Sequence, residues 1–130
     1  MDIGQRAFDY HKSGYNCAQS VFAACCEYTG LDEKTALALS AGFGGGARSG
    51  ELCGAVTGAI MAEGLVFPFN DGQDTEAKDK IAAIAKQCVT IAREKYAYVR
   101  CADLKGNIDC SEIIAFMAKT AEDIMKKEKN

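Results

Sequence analysis

The chain has no paired C-x-x-C, no excess of positive charge, no apolar run near the ~20 residues of a membrane span and almost no strand pattern. Each absence closes a class. Period-two alternation with β-branched enrichment is missing apart from a short ambiguity at Leu37–Ala41, so a sheet is not expected. A net charge of -3 gives no basic footprint, which argues against nucleic acid as a partner. The N-terminus, Met1-Asp2-Ile3-Gly4-Gln5-Arg6, lacks the basic-then-apolar order of an export signal, and a cytoplasmic location is expected. Stable disulfides are uncommon there, and seven cysteines cannot all pair within one chain. Without C-x-x-C-H, covalent haem attachment is not indicated. Repeats, linkers and low-complexity tracts are also absent.

The composition, about half apolar and a quarter charged, is that of a globular protein. At 130 residues the chain can bury a core without staples, and residues 1–130 read as a single domain. The expected fold is all-α: one compact bundle of about five to six helices with a Gly-rich loop between the third and fourth. Residues 2–12 form a short helix with Ile3, Ala7 and Tyr10 on one side. From Cys17 to Tyr28, Cys17, Val21, Ala24, Cys25 and Tyr28 recur at three- and four-residue intervals, and Gly30 supplies a stop. Asp32 caps a third helix through Ala41. A fourth covers about 51–66, ending before Pro68, and a polar turn at Asn70-Asp71-Gly72 leads to the longest, about 74–98. That helix carries Ala77, Ile81, Ile84, Cys88 and Ile91 in register. An irregular stretch, 99–108, precedes a last helix over about 110–127.

Four of the cysteines stand at or beside helix starts or a sharp loop. Asn16-Cys17-Ala18-Gln19 and Asp109-Cys110-Ser111-Glu112 both have a capping residue and a polar partner three positions later, placing Cys17 and Cys110 at first helical positions. Ser49 or Gly50 opens the fourth helix, leaving Cys53 in about its first turn. Free amides and the positive end of the helix dipole favour a thiolate, lowering a cysteine pKa from about 8.5 toward roughly 3.5–7.5. Cys101 lacks a cap but follows Arg100. Cys25, Cys26 and Cys88 fall mid-helix, and Cys25 and Cys88 lie on apolar stripes, so all three read as packing residues.

The stretch Gly42–Gly50 holds five glycines. Gly42-Phe43-Gly44-Gly45-Gly46-Ala47 formally matches a dinucleotide fingerprint, but no βαβ unit surrounds it, and no Gly-Lys-Ser/Thr follows for a P-loop. The loop reads instead as a place where backbone passes close to something, with Gly44, Gly45, Gly46 and Arg48 as candidates to support an anion or a thiolate. Gly54 and Gly58, four apart, would let a neighbouring backbone approach and bring the Cys53 thiol near a partner on another element. His11, the sole histidine, reads as a surface residue near a helix end.

The order Asn16-Cys17-Ala18-Gln19-Ser20-Val21, then Gly42-Phe43-Gly44-Gly45-Gly46, then Cys53-Gly54-Ala55-Val56-Thr57-Gly58, then Cys101 and Cys110, resembles the C_GCAxxG_C_C family of redox-active proteins over nearly the whole chain. The resemblance implies a redox role for four characteristic cysteines, matched by Cys17, Cys53, Cys101 and Cys110. It departs in the nine-residue spacing of the last two and in the three extra cysteines.

Three functions follow as expectations. In the first, some of these four cysteines form a reversible dithiol/disulfide couple serving a redox partner protein or a small thiol. In the second, Cys17, Cys53, Cys101 and Cys110 ligate zinc or an iron–sulfur cluster. In the third, the chain is a helical interaction module or homodimer whose cysteines only pack. One arrangement has Cys53 and Cys17 meeting across packed helix starts, while Cys101 and Cys110 come from the loop joining the last two helices.

Overall fold

The computed structural model describes residues 2–129. Eight α-helices occur in them: α1 (Ile3–Lys12), α2 (Cys17–Ala24), α3 (Cys26–Thr29), α4 (Glu33–Ser40), α5 (Gly54–Val66), α6 (Thr75–Tyr96), α7 (Cys101–Leu104) and α8 (Cys110–Lys129). No strand forms among the described residues, and the ambiguous Leu37–Ala41 stretch is the end of α4 running into a 3₁₀ turn at Ala41–Phe43. The all-α expectation therefore holds. The count of five to six falls short because two one-turn helices, α3 and α7, lie inside segments that read as one long helix and as irregular chain.

Side-chain caps set several of the starts. Asp2, Asp32 and Asp74 each accept a hydrogen bond from the amide three residues on, at 3.1, 3.0 and 3.0 Å. Asn16 and Gln19 form a full capping box on α2, at 2.9 and 3.1 Å. The Asp109 carboxylate accepts from the Ser111 amide at the start of α8.

The break between α2 and α3 has no glycine or proline to announce it. Cys25 leaves the helical region (φ -87°, ψ 2°), and the freed Ala24 carbonyl accepts from the Arg6 guanidinium at 3.2 Å. Arg6 also pairs with Glu27, and the Tyr28 hydroxyl donates to Glu122 of α8 at 2.5 Å. Cys25 and Cys26 thus flank a break rather than lying mid-helix.

Helix α5 occupies the middle and packs against α2, α6 and α8. Its sequence is apolar nearly all round, as a buried helix requires. Gly54 and Gly58 set its contact with α2: a Cβ on Gly54 would lie 2.5 Å from Cys17 Sγ, and one on Gly58 2.8 Å from the Ala18 carbonyl. Phe22, Val21, Val56, Ile3, Ile114, Met117 and Met125 are fully buried in one continuous core. Helix α6 is more exposed and turns only Ile84, Cys88, Ala92 and Tyr96 inward, while Ala77, Ile81 and Ile91 are at most half-buried. Among the described residues no helix is long and apolar enough to cross a membrane.

Helix α5 also starts later than expected, at Gly54, with Cys53 in the N-cap position. Two features upstream stop it from opening at Ser49 or Gly50. Gly45, Gly46, Ala47 and Arg48 all have φ between 60° and 65°, one turn of left-handed backbone, closed by the Glu51 amide on the Gly46 carbonyl at 3.1 Å. Residues 51–53 then run antiparallel to 99–101: the Cys53 amide donates to Val99 at 2.8 Å and the Cys101 amide to Glu51 at 2.7 Å.

Candidate functional site

Four stretches of chain meet at one place. The start of α2 brings Cys17 and the N-cap of α5 brings Cys53; α7 brings Cys101 and the start of α8 brings Cys110. All four sulfur-bearing residues line a single cavity of about 180 Å³. Its remaining wall is mostly apolar, from Ala55, Leu104, Ile113 and Ile114, with His11 and Lys105 as the two basic side chains. Exposure increases from Cys53, 6% accessible, through the half-buried Cys17 and Cys101 to the exposed Cys110.

The glycine loop wraps the start of α2. Gly44 is buried against the Asn16 side chain, where a Cβ would overlap it, and Asn16 donates to the Ala41 carbonyl at 2.9 Å. The Gly45 amide favours the Cys17 thiolate, and Gly45 forms part of the cavity wall. Gly46 lies against the Glu51 backbone, its space for a Cβ taken by Glu51 N at 2.5 Å. Arg48 is exposed and folds back over Gly45, 3.5 Å from where a Cβ there would sit, and does not line the cavity. Of the four loop candidates, Gly45 touches a cavity thiol, while Gly44 and Gly46 hold the loop in place.

Cys17 and Cys53 are neighbours on the cavity wall and titrate together. The Cys53 thiol is the main cause that brings Cys17 down to about 6; burial opposes it, and the amides of Gly45, Ala18 and Cys17 itself add to it. Cys53 moves the other way, because its proton is held by Cys17 and the site is buried; the Ala55 and Val56 amides offset this only in part. One proton thus stays on Cys53 while Cys17 is the thiolate. The expectation that each helix-start cysteine is acidified is corrected at Cys53 and at Cys110. Cys110 does occupy the first position of α8, yet its thiol is pushed up by partial burial and by negative charge at Cys17, Cys101 and Asp109, against which Lys105 acts. Burial, reinforced by neighbouring charge, outweighs the helix dipole there.

Among the described residues no three His, Cys, Asp or Glu side chains stand close enough to hold one metal ion. The four thiols share a cavity without forming the tetrahedral sulfur cage of zinc or an iron–sulfur cluster.

The other cysteines lie elsewhere. Cys25 and Cys88 are fully buried, and Cys26 is half-buried at the head of α3. Beside Cys88 is Glu63, fully buried, with neither carboxylate oxygen meeting a hydrogen-bond partner. Burial pushes its pKa up to about 8, with the neighbouring Cys88 thiol opposing. Glu63 was legible as the one charged residue within the apolar Gly54–Val66 run. His11, read as a surface residue, is half-buried on the cavity wall, and only its closeness in sequence to Cys17 pointed there.

Fold and site together define a small all-helical protein with a coupled pair of neighbouring thiols inside a cysteine-lined, largely apolar cavity. The family model described as "putative redox-active protein (C_GCAxxG_C_C)" matches residues 15–124, and the chain belongs to this family. No match was found among curated proteins or among solved structures.

Proposed function

We propose that Cys17 and Cys53 form a reversible dithiol/disulfide couple, with Cys101 and Cys110 lining the approach from solvent, in a protein working in the thiol-rich cytoplasm. The observation that carries this is the placement of Cys17 and Cys53 on the wall of one small cavity, close enough for each thiol to shift the ionisation of the other. Disulfide exchange needs a thiolate to attack and a second thiol within reach to complete it. Cys17 is suited to the first role and Cys53 to the second. The small apolar cavity suits a low-molecular-weight thiol or disulfide, whereas a protein partner would present its sulfur at the rim, beside Cys110.

The test is thiol counting with mass mapping. Of the seven thiols in the reduced protein, two are expected to disappear on mild oxidation, with a Cys17–Cys53 linkage, and to return on reduction. Cys53→Ser should instead leave Cys17 as a long-lived mixed disulfide with the oxidant's thiol. A count that stays at seven across a redox titration overturns the proposal.

A further inference from the structure

His11 is at the C-terminal end of α1 and forms part of the same cavity wall as the four cysteines. Its Nδ1 is 3.0 Å from the Tyr15 carbonyl oxygen. A carbonyl only accepts, so Nδ1 carries the hydrogen, and in the neutral ring Nε2 is left with a lone pair. Nε2 has no hydrogen-bond partner among the described residues. The proton-bearing groups that line the cavity with His11 are Cys17 from α2, Cys53 from the head of α5, Cys101 from α7, Lys105 just after it, and Cys110 from α8. Lysine as an ammonium has no acceptor. Apart from the thiols, His11 is therefore the cavity group able to accept a proton.

We infer that His11 is the proton-transfer residue of the cysteine cavity, taking the proton from Cys53 as the disulfide closes and giving it to the departing thiolate. The inference rests on the dithiol reading. With a small disulfide RSSR as oxidant, Cys17 thiolate attacks one sulfur, the S–S bond breaks, and RS⁻ leaves with Cys17 as the mixed disulfide. His11 Nε2 then takes the Cys53 proton. Cys53 thiolate attacks the Cys17 sulfur, and a second RS⁻ departs and receives that proton. Two electrons pass from the protein sulfurs to RSSR, and the products are the Cys17–Cys53 disulfide, RS⁻ and RSH. Cys53 needs an outside acceptor at this step because Cys17, its earlier partner, is then bonded to sulfur and no longer basic.

The experiment uses the full chain with bis(2-hydroxyethyl) disulfide, following release of the first and second 2-mercaptoethanol by stopped flow. In His11→Asn, which keeps an N–H for Tyr15 and loses Nε2, the second release should slow by about 100-fold at pH 7, the scale of general acid–base catalysis. Added imidazole should restore part of the rate. Iodoacetamide alkylation of Cys17, which needs a thiolate but no proton acceptor, should be unchanged, as should the final loss of two thiols. His11→Gln is the second variant, with the same slowing expected. An unchanged second release, or an equal slowing of alkylation, overturns the role of His11 while leaving the dithiol couple standing. If the wild type never loses two thiols, the dithiol reading fails and this inference falls with it.

Discussion

At Gly54 there is no room for the methyl group that separates glycine from alanine. Its Cβ would sit 2.5 Å from Cys17 Sγ and 2.9 Å from the Phe43 carbonyl. Gly54→Ala must therefore displace the sulfur that Cys53 and the Gly45 amide hold. The expected outcome is a loss of about 1–3 kcal/mol by thermal melting, together with an alkylation pH profile for Cys17 shifted upward from about 6. Gly64, in the same helix, has nothing within 4 Å of a built Cβ, and Gly64→Ala should stabilise by about 0.5–1 kcal/mol. Helical spacing and glycine content made the close packing of α5 legible. The identity of the neighbour was not, because the partner sulfur belongs to a helix far away in sequence. Similarly, capping signals placed Cys17 and Cys110 at helix starts, but they carry no information on the burial and neighbouring charge that raise Cys110.

Among the elements, the left-handed turn at Gly45–Arg48 departs most from what local preference dictates. Glycine adopts positive φ readily, but Ala47 and Arg48, both at φ 60°, do so against the contact between Cβ and the following carbonyl. Replacing either by glycine normally costs stability. Here Ala47→Gly and Arg48→Gly should each be neutral to stabilising, by about 0.5 kcal/mol in urea melts, because relief of strain exceeds the added freedom of the unfolded chain. Most helix positions were readable from periodicity and caps, within a few residues. The left-handed turn was readable only at its glycines, since its last two residues are ordinary L-residues, followed directly by the pairing of 51–53 with 99–101. The break at Cys25 escaped for a related reason: the apolar stripe continues across it, and Arg6 from α1 takes up the freed carbonyl.

For the molecule as a whole, Glu63 makes stability depend on pH. Its carboxyl rises from the ordinary 4.5 to about 8 on folding, so the folded state retains a proton that the unfolded chain releases. The associated stability is complete below about pH 4.5 and is lost as pH rises toward 8. Cys17 acts in the opposite sense: its lowered pKa adds stability as pH rises from about 6 toward the free-thiol value. Glu63→Gln should remove the first trend. The variant is expected to exceed the wild type by on the order of 2–4 kcal/mol at pH 8, with the gap closing toward pH 5, in denaturant melts read across that range.

The close approach of Cys17 and Cys53 also joins two properties usually measured apart. A bond between them would tie off a long loop of chain, restricting the unfolded ensemble by about 3–4 kcal/mol. By thermodynamic linkage, whatever resistance to unfolding the bridged form gains over the open form, the native couple gains as preference for the bridge, at about 30 mV of reduction potential for each 1.4 kcal/mol. Any substitution that loosens α2 against α5 in the bridged form alone would then raise the potential. The packing of two helices through Gly54 and Gly58 is in this sense a setting of the electron affinity of the sulfurs they enclose.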